Sequence, residues 1–185
     1  MKKQSLTLVN ILIFFTLNLS ISFSSEPKII NGLLGQVEVI DGDTIKINNK
    51  KIRLYGIDAP EINQECKNNF GESYKCGLLS KTILEKILSK SLVSCHYNNF
   101  DRYKRILGTC YVTQILGNFT ENGIVKHLIE ENLDINTTMV RFGYAVAYKK
   151  YSKKYIEDEN YAKFNNKGLW SGKFDMPWEW RKKNK

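Results

Sequence analysis

The chain has 185 residues, of which 42% are hydrophobic and 25% charged. These proportions exclude a disordered chain, a collagen-like repeat and a multi-pass membrane protein, and they suit one compact domain. Lysine and arginine total 28 against 19 acidic residues, a net charge of +9, which points to an anionic partner without naming it.

At the N-terminus, Lys2 and Lys3 precede a mainly apolar run from Leu6 to Phe23 that ends in Ser24 and Ser25. This is the outline of a signal peptide over residues 1–25. Asn10, Thr16 and Asn18 dilute the run, which disfavours a spanning anchor. The expectation is an exported protein, secreted or periplasmic, with no stable membrane association after signal cleavage and with monomer as the default state. The charge is unevenly spread: residues 26–148 hold 15 basic and 14 acidic side chains, whereas residues 149–185 hold 11 and 5. Residues 26–180 are expected to form the domain, and 181–185 a basic C-terminal tail. Arg181, Lys182, Lys183 and Lys185 read individually as solvated charges and as a group able to draw in a polyanion.

Past the leader, Leu33 to Ile40, Thr44 to Asn48 and Ile52 to Ile57 are β-rich and joined by the turn-formers Asp41-Gly42 and Asn48-Asn49, which predicts a three-stranded meander. Leu79, Ile83 and Ile87 then recur at i, i+4 and i+8 beside Leu84 and Leu88, the pattern of a helix whose apolar face covers the sheet. Two strands follow near Leu92 to Tyr97 and Arg105 to Thr113. Gln114 to Asn132 carries a weak helical pattern in Ile124, Val125, Leu128 and Ile129 and reads as an inserted excursion without an assignable role. Helices are predicted over Ile135 to Phe142, stopping at Gly143, and over Lys153 to Asn166, stopping at Gly168. The order βββ-α-ββ-α-α describes an α+β, mainly β fold. Five short strands with a helix after the third fit a closed Greek-key barrel of the OB type with about three helices.

In an oxidising compartment the four cysteines are expected to pair, with three connectivities open. Cys66 and Cys76 bracket a polar loop containing Gly71, while Cys95 and Cys110 sit on two apolar strands flanking a turn, where facing strands bring Cα atoms within bridging reach. The favoured pairing is 66 with 76 and 95 with 110. The rival, a zinc site, lacks a close Cys-x-x-Cys pair, and its histidines, His96 and His127, stand apart.

Asp41-Gly42-Asp43-Thr44 lies at one strand junction, and Arg53 to Glu61, reading RLYGIDAPE, runs off the third strand. Period-two alternation sends Ile52 and Leu54 to one face and Arg53 and Tyr55 to the other, so the arginine faces the loop carboxylates. Asp43, Asp58 and Glu61 then make an oxygen-rich pocket suited to a hard cation, Ca²⁺ or Mg²⁺, with a carboxylate left over to handle a water proton. Taken singly the pieces are weak, since Asp-Gly is a common hairpin turn and Asp-Ala-Pro-Glu also serves to cap a loop. Together with Asp101-Arg102-Tyr103-Lys104-Arg105, at the turn between the cysteine-bearing strands, they are far more specific.

With these motifs the chain resembles the staphylococcal nuclease (thermonuclease) family from about Leu33 to Trp180. The resemblance also covers Leu133 to Asn136, Val140 to Tyr148 and Gly168 to Ser171. It implies Ca²⁺ held by Asp43, Asp58 and the backbone carbonyl of Ala59, a scissile phosphate gripped by Arg53 and Arg105, and Glu61 acting on the attacking water. It implies hydrolysis of DNA or RNA with 3′-phosphate products, and contacts from Tyr103, Tyr148 and Tyr151 to the terminal phosphate and base. Two positions depart from the family pattern. Ala59 stands in place of threonine, a mild change for a main-chain ligand. Lys104 stands in place of a glycine, and a lysine there is expected to reshape the turn and shift Arg105. The competing class is a non-catalytic single-strand-binding OB module, against which the presence of all five charged site residues weighs.

Overall fold

A computed structural model describes residues 28–29 and 32–185; the expected signal segment lies outside them. The strands are β1 Lys28–Ile29, β2 Leu33–Gly35, β3 Val37–Val39, β4 Thr44–Ile47, β5 Lys50–Leu54, β6 Ile57–Asp58, β7 Cys66–Lys67, β8 Ser73–Tyr74, β9 Leu92–Phe100, β10 Ile106–Glu121, β11 Ile124–Asp134 and β12 Val146–Ala147. The helices are α1 Cys76–Leu88, α2 Ile135–Arg141, α3 Ile156–Phe164 and α4 Pro177–Lys183, with a 3₁₀ turn at Gly168–Ser171.

The first predicted strand is interrupted at Gln36, and the break closes the barrel. β3 pairs with β4 and β4 with β5, while β5 runs parallel to β10, β10 antiparallel to β9, and β9 antiparallel to β2. Because β2 leads directly into β3, the ring has no open edge, the condition that makes a small sheet stable alone. It is the expected five-stranded OB-like barrel. Asn48 and Asn49 both take positive φ, at 48° and 64°, the type I′ geometry whose twist matches a tight hairpin. Alternation holds along β5, where Ile52 and Leu54 are buried between half-exposed or exposed neighbours. They join Ile45, Ile47, Val93, Ile106 and the Leu84 and Leu88 face of α1 in the main core.

Gln114 to Asn132 is not helical. It continues β10 and β11 as a long antiparallel hairpin around Asn122 and Gly123, whose φ values are +50° and +75°. The Asn-Gly pair is itself a strong hairpin signal, and the β-branched Ile124 and Val125 favour strand. The weak i, i+4 pattern loses to both. α2 starts where predicted, capped by the Asp134 carboxylate accepting from the Thr137 N–H at 2.9 Å. Its Asn136 is fully buried, donating to the carbonyls of Tyr55 and Gly108 and accepting from the Cys110 N–H, so one side chain ties α2 to two barrel strands.

Both favoured disulfides are formed, Cys66–Cys76 and Cys95–Cys110. The second joins direct cross-strand partners of β9 and β10. The first belongs to a smaller core with Val146 and Leu169, against which Trp170, Phe174, Met176 and Trp178 pack. That second core seats α4, a helix the sequence reading did not anticipate. Among the described residues no helix is long and apolar enough to cross a membrane.

Candidate active site

The site forms where the Asp41–Asp43 loop, the end of β5 and β6 meet. The loop is pinned by the Asp41 carboxylate, which accepts from the Asp43 N–H at 3.0 Å, and by the Leu54 N–H donating to the Asp43 carbonyl at 2.8 Å. Gly42 is required by proximity: a Cβ there would stand 2.7 Å from the Ala59 Cβ and 2.8 Å from the Ser80 Cβ. Gly77 plays the same part for the next loop, since a Cβ on it would overlap the Glu61 carbonyl. The first turn of α1 therefore lies directly against the backbone of Glu61.

Arg53 projects from β5 between two buried aspartates. One guanidinium nitrogen donates to Asp43 Oδ1 and the other to Asp58 Oδ1 at 2.6 Å. Asp43 also accepts from the Thr44 hydroxyl at 3.1 Å and, through its second oxygen, from the Ala59 N–H at 2.8 Å. Asp58 lies on β6, held by pairing with Val146 of β12. Glu61 is half-buried, and its turn is closed by Gln64, whose side-chain oxygen accepts from the Glu61 N–H at 3.3 Å.

A second guanidinium, absent from the sequence-based site, completes the cluster. Arg181 of α4 donates to Asp58 Oδ1 at 3.2 Å, to Asp58 Oδ2 at 2.7 Å and to Glu61 Oε1 at 2.6 Å. It is a folded part of the site rather than a solvated tail charge. The sequence holds no local sign of this contact, only the basic excess of the last 37 residues.

The electrostatics follow from crowding acids in a dry place. Burial pushes the Asp41 carboxyl up to about 6, helped by the charge of Asp43. Burial also raises Asp58, and Asp43 adds to the rise, against the lowering pull of Arg181 and Arg53. For the two arginines burial disfavours the charge, but the carboxylates outweigh it and hold both guanidiniums more firmly protonated than usual.

Arg105 stands apart from this cluster. It precedes β10 beside the strand carrying Arg53, and its Nε donates to Asp101 Oδ2 at 2.7 Å. Among the described residues no hydrogen bond or ion pair joins it to Asp43, Asp58 or Glu61. Lys104 in this turn adopts the left-handed conformation at φ 63°. Asp101 closes the turn by accepting from the N–H groups of Tyr103, Lys104 and Arg105. The left-handed backbone is strained for a lysine, and Lys104→Gly is expected to raise stability by about 1 kcal/mol, read as a higher urea midpoint at constant slope.

Tyr103 is exposed and packs with the guanidiniums of Arg102 and Arg105, at 4.7 and 5.7 Å from its ring centre. A cleft here is lined by Lys50, Lys51, Lys104, Arg105, Tyr97, Phe100 and Tyr103, with no acidic side chain. Tyr148 and Tyr151 lie elsewhere, edge to face at 4.8 Å, and Tyr148 stacks flat on Trp178 of α4 at 5.4 Å. The structure brings Tyr148 and Tyr151 together and Tyr103 to Arg105, and among the described residues no ring contact links the two groups.

As for a metal, among the described residues no group of three or more His, Cys, Asp or Glu side chains is arranged to hold one. The donor set itself is all oxygen, and Asp43 and Asp58 are close enough for one guanidinium to bridge both. Such a pair fits a hard cation.

Residues 51–172 match the family model described as staphylococcal nuclease homologue. The chain is 32% identical over 159 residues to micrococcal nuclease of Shigella flexneri, covering 80% of each protein. It is 30% identical over 152 residues to an uncharacterized endonuclease of Escherichia coli, covering 78% of this chain and 82% of that one. It is also 33% identical over 140 residues to succinoglycan biosynthesis protein ExoI of Rhizobium meliloti strain 1021, spanning 75% of this chain but 64% of that protein's length. The matched family segment contains Arg53, Asp58, Glu61 and Arg105 and leaves Asp43 and Arg181 outside it. With the OB-like barrel and the carboxylate–guanidinium site it carries, this match shows that the chain belongs to the staphylococcal nuclease family, and with it to the nucleases.

Proposed function

We propose that the protein is an exported, Ca²⁺-dependent nuclease that hydrolyses phosphodiester bonds of DNA or RNA, or of both, by in-line attack of water, leaving 3′-phosphate ends. Its nuclease domain follows a signal segment at residues 1–25 and ends in the basic residues 181–185. The observation that carries the reading is the gathering of Asp43, Asp58 and Glu61 at the mouth of a closed barrel, with Arg53 between the two aspartates and Arg181 between Asp58 and Glu61. Two disulfides support an oxidising compartment.

Asp43, Asp58 and the Ala59 carbonyl would hold Ca²⁺, which when bound supplies positive charge against the phosphate oxygens. The Ala59 N–H already ties that segment to Asp43, so ligands from both loops move as one unit. Arg53 and Arg105 each offer a planar fork of donors to a phosphate on which attack accumulates negative charge. Glu61, less buried than the aspartates, accepts the proton of the attacking water. The acid-free cleft beside Arg105 suits a strand of nucleic acid, with lysines for phosphates and Tyr97, Phe100 and Tyr103 for bases. Tyr148 and Tyr151 would serve the terminal phosphate and base.

Cleavage of a labelled oligonucleotide by the purified protein, with Ca²⁺ or with chelator, tests the reading. Calcium-dependent 3′-phosphate products are expected, falling by about 10² to 10³ in Glu61→Ala on the scale of removing one transition-state interaction. Tight, salt-sensitive binding with an intact strand would instead identify a binding module.

A further inference from the structure

We propose that Arg181 is the resident counter-ion of the carboxylate pocket, a guanidinium from the last helix that holds Asp58 and Glu61 until a divalent cation displaces it. The inference rests on the reading of Asp43 and Asp58 as cation ligands.

Arg181 engages three of the four carboxylate oxygens of Asp58 and Glu61. Asp58 is fully buried, so its charge requires a partner, and a guanidinium fork covers both of its oxygens. A cation placed on those oxygens and the Arg181 guanidinium bring two positive charges against the same carboxylates, so each weakens the hold of the other. Four acids, Asp41, Asp43, Asp58 and Glu61, face two guanidiniums, Arg53 and Arg181. Removing one guanidinium therefore deepens the negative potential that a cation senses.

The arginine is delivered by a built support rather than by a frayed end. Gln64, whose side chain closes the Glu61 turn, donates through Nε2 to the Asp175 carbonyl at 2.7 Å, two residues before α4. Within α4, Trp178 stacks on Tyr148, and Lys183 returns to Asp175 at 2.8 Å. Lys182 and Lys183 on the same helix make no contact with the pocket among the described residues. Coupling between two occupants of one site is reciprocal, and whatever binding strength Arg181 holds is subtracted from the cation.

The test is calorimetric titration of Ca²⁺ alone, without nucleic acid, into the unmodified protein, Arg181→Gln, Arg181→Lys and Lys182→Gln. Arg181→Gln is expected to bind Ca²⁺ about tenfold more tightly, Lys182→Gln like the unmodified protein, and Arg181→Lys in between, because an ammonium keeps the charge but loses the fork. In chelator, Arg181→Gln should melt below Lys182→Gln, with Ca²⁺ closing the gap. Equal or weaker Ca²⁺ binding by Arg181→Gln overturns the proposal and leaves the cation pocket standing. Should that variant not fold, an Arg181→Lys affinity no tighter than that of the unmodified protein overturns it equally. No Ca²⁺ binding by any of the four proteins overturns the pocket and the proposal with it.

Discussion

Replacing Arg53 with alanine is expected to lower the stability of the cation-free protein by about 3 to 5 kcal/mol and the cleavage rate by about 10² to 10³. The side chain is 16% exposed and lies between two carboxylates that are 5% and 0% exposed. Deleting it takes a positive charge away from both buried carboxylates. Asp58 retains Arg181, whereas Asp43 is left with the Thr44 hydroxyl and the Ala59 N–H, so most of the penalty falls on Asp43. Urea unfolding in chelator measures the loss. The gap from the unmodified protein should narrow with Ca²⁺, which supplies positive charge to the same carboxylates. Arg53→Lys is expected to restore little, since one ammonium cannot span two aspartates as a guanidinium does. A loss below about 1 kcal/mol, the scale of an exposed ion pair, would mean that the pocket is wet enough to solvate both acids.

Reduction of the disulfides is the second large effect. Cys95–Cys110 closes 15 residues and Cys66–Cys76 closes 10, for which loop-closure entropy gives about 3 and about 2.7 kcal/mol. In a domain of this size the pair together should lower the melting midpoint by roughly 10 to 20 °C. An unchanged midpoint under reducing agent would refute the contribution of both bridges. The two should differ in what else they cost. Cys95–Cys110 staples barrel strands away from the carboxylates, so its double alanine variant should lose stability and keep its rate per folded molecule. Cys66 follows the Glu61 turn, and Cys76 opens the helix whose Gly77 packs on the Glu61 carbonyl. Removing that bridge should slow cleavage as well.

Most of the site was legible because it is local. Asp43, Arg53, Asp58 and Glu61 lie within 19 consecutive residues, and the alternation of β5 alone turns Arg53 toward the acids. The barrel was legible for a similar reason, as hydrophobic period and turn residues are properties of short windows. Arg181 was not, because its partners are 120 and 123 residues away, and nothing in a run of Arg-Lys-Lys distinguishes the charge that docks from those that stay in water. What decides it is the seat of α4 on Tyr148 and the Cys66–Cys76 core, a matter of packing. The hairpin at residues 114–132 failed differently. Its Asn122-Gly123 turn was readable, but four apolar residues at mixed spacing fit two periods, and tertiary pairing of Leu128 and Ile129 with β1 favours strand. Lys104 takes the left-handed conformation within a turn that Asp101 closes.

The ring closure has a kinetic consequence. The contacts that shut the barrel join Leu33 to Cys95 and Ile52 to Ile106, segments roughly sixty residues apart, and long loops must be closed before either pairing rewards the chain. Barrels dominated by such non-local pairing fold in about milliseconds to seconds rather than microseconds. The Cys95–Cys110 bond that would lock the closed ring forms only under oxidising conditions. A chain that closes its ring this late gains the rigidity of that bridge only where its thiols can be oxidised.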